Sequence, residues 1–474
     1  MTAARIQQLE AENKTLREEN KRLRALEVIV AEQAKLIEQL RERIAVLEKN
    51  SRTSSKPPSS DVTKPKSEQK QRGKRKRGGQ KGRRGSTRKK LPPELIDQHV
   101  EHDITSCPDC AGALSRSVES TQIYQSIELV EKPTLATEHA LKGRYCSCCD
   151  SVKFPTLPQS IIPGHLFGPR LQAAICYLKG AMGISYTELQ RLCKELFGVD
   201  ASTGMLCDIV KRGSEAFEEP YCEAWDAARS AARLHADETG WKDNGVPHWV
   251  WIFCNEHFSF FALRDTRAGK VLNEILGKTF EGVLISDFFS IYPSFIEERL
   301  QLCLAHLIRD IKFLTTLPDK QTKGFSSKIL RSFRSIFKLW HQREEIPREQ
   351  FLKRMRYRMT YLHNYVWRAR LKKGKGRTLQ RRILKRWKCL FRFIEQPELY
   401  TPTNNHAEQQ MRHLVRIRRQ TQGTRSWEGQ RWIERASTII ETCKKQNKSV
   451  FAFFLAAIRA KYSFRYPMPK LLPA

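Results

Sequence analysis

Five strand-like segments lie within residues 229–310, and their order restricts what this part of the chain can fold into. Apolar and β-branched residues predict strands at 233–237, 248–254, 259–264, 283–287 and 300–304. A helical pattern at 267–278 separates the third strand from the fourth, and another begins after residue 292. Strands and helices in this succession predict an α/β domain.

Three acidic side chains are predicted at the ends of elements in or near this domain. Asp237 ends the first strand, Asp287 ends the fourth, and Glu408 begins a helix within 401–419. Converging carboxylates suit two Mg²⁺ ions, with Mn²⁺ as a substitute, and such a pair supports in-line displacement at phosphorus. Each acid also has a structural interpretation, since the aspartates can begin turns and Glu408 can belong to a capping box with Asn405.

Three leading antiparallel strands, then a helix and further strands, are the order of a ribonuclease-H-like sheet. At 474 residues the chain is longer than the roughly 250–300 residues at which single cores stop growing, so several domains are expected. We predict a multidomain α+β protein whose ribonuclease-H-like core comprises 229–310 and 400–425. A basic α-helical insertion at 311–399 interrupts that core, and a helical tail at 426–474 follows it.

Positive charge points to a polyanionic partner. Lys and Arg number 85 against 51 Asp and Glu, a net charge of +34. Between residues 64 and 90, fourteen basic residues and one Glu are interleaved with glycine. Residues 51–92 are therefore predicted to be a disordered arm that neutralises DNA phosphates, with a solvated linker as the alternative. Expected phosphate contacts are Arg72, Lys74, Arg75, Lys76, Arg77, Arg83 and Arg84.

Residues 1–50 carry an apolar residue at every seventh position: Leu9, Leu16, Leu23, Val30, Ile37 and Ile44. This spacing predicts a leucine-zipper-like coiled coil that joins at least two copies of the chain. A lone amphipathic helix packed on the body is the alternative.

Two CxxC pairs, Cys107 with Cys110 and Cys146 with Cys149, lie in a predicted zinc-binding domain at 93–160. Four thiolates can hold one structural Zn²⁺, and Cys148 could replace a neighbour. The segment 121–130 is β-rich and is expected to supply hairpins of a zinc ribbon. Unrelated reduced thiols are the alternative.

Three helices are predicted between 169 and 216, within a helical domain at 161–228. The turn between the second and third resembles that of a helix-turn-helix, which would direct Ser202, Thr203 and Met205 to the major groove. An ordinary helical bundle explains the pattern equally well.

Further DNA contacts are expected near Glu408. Arg412, Arg416 and Arg419 recur on one face of its helix and are candidates for phosphate contacts. His306, Asn404 and Asn405 are candidates for contacts with DNA or with the acids, and structural hydrogen bonds are the alternative.

In the insertion, residues 368–388 hold eleven basic residues and no acid. Trp367 and Trp387 flank this run, where they could stack on unpaired bases or pack in the core.

The chain resembles transposases of the insertion-sequence-66 family along nearly its whole length. The similar segments are SSKPPSSD followed by GGQKGRRG, the CxxC pairs, ADETGW, SDFFSIY, CLAHLIRD and TNNHAEQQMR. The resemblance implies a DDE active site with Asp237 bridging two metal ions, Asp287 on one and Glu408 on the other. It also implies accessory proteins from the same element. The family usually has a histidine in the glycine-rich arm, where Arg83 or Arg84 stands here.

Together these features predict a DNA transposase that binds the ends of its insertion sequence and carries out metal-dependent cleavage and strand transfer of double-stranded DNA. The alternatives are a non-catalytic, zinc-containing coiled-coil regulator and a ribonuclease-H-like nuclease that cleaves without joining. With no signal peptide and no 18-residue apolar run, we expect a bacterial cytoplasmic, nucleoid-associated protein without membrane contact.

Overall fold

The computed structural model describes residues 3–49, 90–100, 104, 106, 108–113, 123–127, 129–130, 133–148, 150–155, 161, 164–463 and 465–473. It is a mixed α+β protein with a long N-terminal helix and one main sheet. Contacts divide the chain into two compact units, one of residues 1–64, 140–191 and 201–474, the other of residues 65–139 and 192–200. No described helix is both long and apolar enough to cross a membrane.

Helix α1, Ala3–Leu47, confirms the predicted N-terminal helix. Its heptad residues from Leu16 to Ile44 stay exposed, with Leu23 at 57%, Val30 at 62% and Ile37 at 50%. The alternative, a lone amphipathic helix, required this seam to pack on the body of the chain. The exposed seam residues contradict that alternative. The coiled coil stays a prediction.

The cysteine-containing segment differs from the expected ribbon. A 3-10 turn spans Pro93–Leu95, and strands β1, Arg144–Cys146, and β2, Ser151–Lys153, form an antiparallel hairpin that includes Cys146. The described residues of 121–130 contain no strand, contrary to prediction. Their apolar side chains are not buried in a core, since Ile127 is 70% exposed and Leu129 is 79% exposed. Cys107 and Cys149 lie outside the described residues, so the zinc site stays a prediction.

Helices α2, Pro169–Tyr177, α3, Tyr186–Glu195, α4, Thr203–Ala216, and α5, Glu218–Ser230, follow, with a π-helical turn Leu178–Met182 after α2. The three helices predicted here are confirmed. Ser185 caps α3: its Oγ accepts a hydrogen bond from the backbone N–H of Glu188 at 3.2 Å, and its own N–H donates to Glu188 Oε2 at 2.9 Å. The helix-turn-helix assignment stays a prediction.

The main sheet has the strand order β5-β4-β3-β6-β7. Strands β3, β4 and β5 are antiparallel neighbours, whereas β6 is parallel to β3 and β7 is parallel to β6. Helices α6, Lys270–Leu276, and α7, Ile291–Ile296, and a 3-10 turn Glu297–Arg299 connect the later strands. All five predicted strands are present, and their bounds are β3 Arg233–Asp243, β4 Val246–Cys254, β5 Ser259–Arg264, β6 Val283–Ser286 and β7 Leu300–Leu302.

Strand β3 is longer than predicted and places Asp237 in its interior. It continues to Asp243 because it forms a hairpin with β4, closed by Asn244 at φ 47° and Gly245 at φ 80°. Positive φ at both turn residues is the signature of a type I′ turn, which Asn-Gly favours. The interpretation of Asp237 as a strand-ending turn residue is therefore wrong.

The region 311–399, which the structure describes throughout, is helical as predicted, and its first helix begins earlier than that region, at Leu304. Trp340 and Phe393 meet edge to face at 4.8 Å in its core. Trp387 packs against His363 at 4.8 Å, whereas Trp367 is 67% exposed. The helices are α8 Leu304–Leu314, α9 Lys320–His341, α10 Arg348–Arg368, α11 Lys375–Lys385, α12 Trp387–Leu390 and α13 Arg392–Glu395.

Helices α14, Asn405–Thr421, α15, Trp427–Lys445, and α16, Val450–Tyr462, complete the chain. Helix α15 covers the free edge of β5 through side chains spaced one helical turn apart. The backbone N–H groups of Ser259, Phe261 and Leu263 donate respectively to Thr442 Oγ1 at 3.1 Å, Thr438 Oγ1 at 3.1 Å and Glu434 Oε1 at 2.6 Å.

Candidate functional site

The two aspartates that the sequence singled out are neighbours across strands β3 and β6. The last parallel pair of these strands is His235 with Ile285, and two residues further along the chain from each stand Asp237, within β3, and Asp287, directly after β6. Because side chains alternate with a period of two, both carboxylates project to the same face. One carboxylate oxygen from each lies within 4.8 Å of the other and of one from Glu238.

The electrostatics of this cluster are unfavourable without a cation. Burial raises the pKa of Asp237 well above its usual range, and the charges of Glu238, Asp287 and Glu408 raise it further. The backbone N–H of Glu238 donates to Asp237 Oδ1 at 2.9 Å and opposes this shift. A divalent cation would offset the repulsion between these carboxylates, so the donor set fits Mg²⁺.

Glu238 is a fourth acid that the sequence analysis did not single out. Its side chain is fully buried; Oε1 accepts from Arg267 Nε at 3.0 Å and from Arg267 Nη2, and Oε2 accepts from the hydroxyl of Tyr292. Burial and the charge of Asp287 raise the pKa of Glu238, and the bonds from Tyr292 and Arg267 oppose the rise. One sequence signal could have found it: Glu238 continues the alternating apolar face of Leu234 and Ala236, where an acid needs a buried partner.

Arg267 links this buried carboxylate to the loop that carries Asp287. Its guanidinium lies 3.7 Å from the ring centroid of Phe289 and 4.7 Å from that of Trp249. The backbone N–H of Phe289 in turn donates to Asp287 Oδ1 at 2.9 Å. The loop after β6 is thereby attached to the interior of β3 through Glu238.

Glu408 comes from the first turn of α14, and Asn404 anchors that turn. Asn404 is fully buried; its Nδ2 donates to the carbonyl oxygen of Ala236 at 2.8 Å, and its Oδ1 lies 3.0 Å from His235 Nδ1. Asn404 therefore takes the structural role that the sequence analysis left open, and burial removes it as a DNA contact. Asn405 is exposed and is the first helical residue, so it does not cap the helix as the capping-box interpretation required.

Two basic side chains and a thiol surround Glu408. Glu408 Oε1 lies 3.4 Å from His306 Nε2, and Oε2 lies 3.5 Å from Arg309 Nη2. One ligand atom each of Cys303, His306 and Glu408 lie within 4.8 Å of one another. Burial lowers the pKa of His306 against the opposing charge of Glu408, and burial raises the pKa of the Cys303 thiol to about 11. His306, predicted as a DNA contact, is placed here beside the acid.

The remaining predicted DNA contacts within the described residues lie on α14 and at the start of α4. Arg412, Arg416 and Arg419 are exposed on α14, whose opposite face buries Ala407, Met411 and Leu414. Ser202 and Thr203 are exposed at the start of α4, where Ser202 Oγ accepts from the backbone N–H of Met205 at 3.1 Å. The predicted arm contacts Arg72, Lys74, Arg75, Lys76, Arg77, Arg83 and Arg84 lie outside the described residues.

Two family models match parts of the chain. Residues 2–89 match a family of unknown function. No curated protein matches the chain significantly. Residues 164–431, which contain the three acids and the sheet, match the model of the IS66 family of transposases. Because this match covers more than half of the 474 residues, the chain belongs to the IS66 transposase family.

Proposed function

We propose that the chain is a DDE transposase that cuts the ends of its insertion sequence and joins them to new DNA, with Asp237, Asp287 and Glu408 as the catalytic acids. The observation that carries this proposal is the juxtaposition of Asp237 and Asp287 beside a Glu408 close enough to raise the pKa of Asp237. The strand order β5-β4-β3-β6-β7, with Asp237 on β3 and Asp287 directly after the adjacent parallel strand β6, supports a ribonuclease-H-like core. Family membership implies DNA as the partner.

Mg²⁺ ions would be held by Asp237, Asp287 and Glu408. When bound, a pair of such ions activates the attacking oxygen and stabilises the leaving oxygen of a phosphodiester. The contribution of the protein is to hold these three carboxylates in place. Asn404 holds the start of α14 against β3, while Glu238 and Arg267 hold the loop of Asp287. Carboxylates fixed in this way lose little conformational entropy when the substrate arrives.

DNA would be held by charge spread outside the acidic cluster. Arg412, Arg416 and Arg419 extend from the turn of Glu408 along one exposed face of α14. Contacts from such a row would position the backbone without reading sequence. Arg309, beside Glu408, limits the negative charge that a phosphate group would meet there.

The remaining predicted features complete the proposal. The exposed heptad seam of α1 supports pairing of two copies, which would bring two element ends together. One structural Zn²⁺ on Cys107, Cys110, Cys146 and Cys149 and a DNA-reading role for Ser202 and Thr203 belong to the same proposal.

The test uses the full-length protein with DNA carrying the element ends and Mg²⁺. Asp237→Asn, Asp287→Asn and Glu408→Gln should each abolish cleavage and strand transfer while DNA binding in a gel-shift assay persists. Asp265→Asn is the matched control, because Asp265 is an exposed acid in the segment after β5. Cleavage that survives all three substitutions would refute the catalytic assignment. Cleavage without joining in the unaltered protein would instead identify a nuclease.

A further inference from the structure

Cys303, His306 and Glu408 form a cluster whose donor atoms differ from those of the acidic cluster. It offers one sulfur, one imidazole nitrogen and one carboxylate oxygen, all within 4.8 Å of one another. Carboxylate-only sites suit Mg²⁺, whereas thiolate and imidazole ligands select Zn²⁺ and related ions.

Backbone N–H groups that point at the sulfur of Cys303 oppose the effect of its burial, which by itself favours the neutral thiol. Cys303 is fully buried at the N-cap position of α8, and its Sγ accepts a hydrogen bond from the backbone N–H of Asn404 at 3.1 Å. Backbone N–H groups of Ala305 and His306, in the first turn of α8, also donate to it. Helix N-termini and N–H donors stabilise negative charge on sulfur.

The two other donors face the same volume. His306 follows Cys303 by three residues, so both side chains lie on one face of α8. Glu408 Oε1 is buried and has no hydrogen-bond partner among the described residues, although His306 Nε2 is only 3.4 Å away. A buried, unpartnered carboxylate oxygen costs free energy that a bound cation would remove.

We propose that Cys303 Sγ, His306 Nε2 and Glu408 Oε1 bind a thiophilic divalent cation of the Zn²⁺ class. Three protein ligands leave a fourth tetrahedral position for water. When the ion binds, a metal–sulfur bond forms, the thiol proton leaves to solvent, and the ion loses one coordinated water to each ligand.

Binding at this cluster has a regulatory consequence that rests on the proposed function. Glu408 is also a proposed Mg²⁺ ligand, so an ion on Cys303 and His306 would withdraw a Glu408 oxygen from the proposed Mg²⁺ site. Zn²⁺ would then inhibit cleavage by competing for one carboxylate, and raising Mg²⁺ would relieve the inhibition.

The binding test uses Co²⁺ as the probe on the metal-free full-length protein, without DNA. Unaltered protein should show thiolate-to-cobalt charge-transfer absorption that is weaker in Cys303→Ser, with one fewer ion bound per chain. Cys207→Ser is the matched control, since Cys207 is an exposed free thiol on α4 and outside the cluster. Cys107, Cys110, Cys146 and Cys149 contribute equally to all of these proteins, so the difference spectrum isolates Cys303.

His306→Gln is the second variant and decides the matter if thermal melting shows that Cys303→Ser does not fold. It should weaken binding at the cluster by more than the ~10–100-fold that loss of an outer-shell partner causes. Identical spectra and ion counts in Cys303→Ser, His306→Gln and unaltered protein would overturn the proposal.

The inhibition test adds Zn²⁺ to Mg²⁺-dependent cleavage of element ends. Unaltered protein should be inhibited, and Cys303→Ser should resist. Equal inhibition of both would refute the regulatory role. If no protein cleaves DNA, the proposed function fails, while the cobalt spectra still decide whether the cluster binds a metal.

Discussion

His235 Nδ1 lies 3.0 Å from Asn404 Oδ1, and this buried contact joins the middle sheet strand β3 to the start of the helix that carries Glu408. Burial lowers the pKa of His235 to about 4, so its ring is neutral near pH 7 and its Nδ1–H donates to the amide oxygen. The contact stands two residues from Asp237 and four from Glu408. It therefore sets the separation of two acids that are far apart in sequence.

Replacing Asn404 should make the distance between Asp237 and Glu408 less well defined. Asn404→Leu removes both side-chain bonds and leaves the Ala236 carbonyl and His235 without a partner, at a cost of about 1–3 kcal/mol for each buried group left unpaired. We expect a lower urea midpoint and a larger fractional loss of cleavage than of DNA binding. Asn405→Leu, at the exposed neighbouring position, is the control and should change neither. An unaffected Asn404→Leu protein would show that the contact does not position Glu408.

Glu238→Gln should raise the Mg²⁺ concentration needed for cleavage. The neutral amide loses the ion pair with Arg267, and its NH2 group cannot accept the hydroxyl proton of Tyr292, so the anchor of the Asp287 loop weakens. Outer-shell changes of this kind typically cost ~10–100-fold in metal affinity. Tyr292→Phe, which removes a single bond to the same carboxylate, should show a smaller change. A Mg²⁺ titration of cleavage at fixed DNA measures both, and an unchanged Mg²⁺ requirement in Glu238→Gln would contradict the positioning role.

The basic face of α14 should determine part of the salt dependence of DNA binding. If Arg412 and Arg419 each neutralise one phosphate, replacing both with Ala should reduce the slope of log K against log salt by roughly 2. Lys278→Ala is the control, because Lys278 is exposed before the amino end of β6, opposite the end that carries Asp287. Binding measured at several salt concentrations gives the slopes, and equal slopes would remove α14 from the interface.

Thr438→Val should destabilise the fold without touching the acidic cluster. Valine keeps the volume but cannot accept the bond from the backbone N–H of Phe261, which would be left buried and unpaired. The expected loss is about 1–3 kcal/mol in the free energy of unfolding. Ser437→Ala, at the adjacent buried position on α15, is the comparison because, among the described residues, no backbone N–H of β5 is found to donate to Ser437. Urea unfolding checks both, and equal midpoints would contradict the edge-capping role.

Acid should destabilise the fold through His413. Burial lowers the pKa of His413 from 6.5 to about 3, so the folded state keeps the ring neutral while the unfolded state binds a proton. Because the unfolded state then holds more protons, stability falls as pH drops below 6.5 and the loss is complete near 3. A shift of this size corresponds to about 3 kcal/mol at pH 4. His413→Gln should show a shallower decline of stability between pH 6.5 and 4, and identical profiles would refute this source of acid sensitivity.

Local sequence predicted the strands of the main sheet and several helices, whereas the strands expected within 121–130 are absent from the described residues of that segment. The heptad spacing of α1, the helices from α2 to α4 and the five strands of the sheet depend on side-chain periodicity within a few residues. The Asn-Gly pair at 244–245 favours the tight turn that lets β3 continue past Asp237, a sequence signal that the predicted strand 233–237 did not use. Acidic residues near strand and helix ends could likewise be listed from the sequence.

Only the tertiary structure decided which of these residues meet. The parallel register of β3 with β6 brings Asp237 beside Asp287, and the packing of α14 on β3 buries Asn404 and brings Glu408 to His306. These contacts join residues fifty or more positions apart, and they depend on strand pairing and packing that local periodicity does not specify. The buried partners of Glu238 and the proximity of Cys303 to Glu408 also depend on such packing, so the sequence did not predict them. Sequence determined the elements and the candidate acids, and long-range packing determined their neighbours and hence their chemistry.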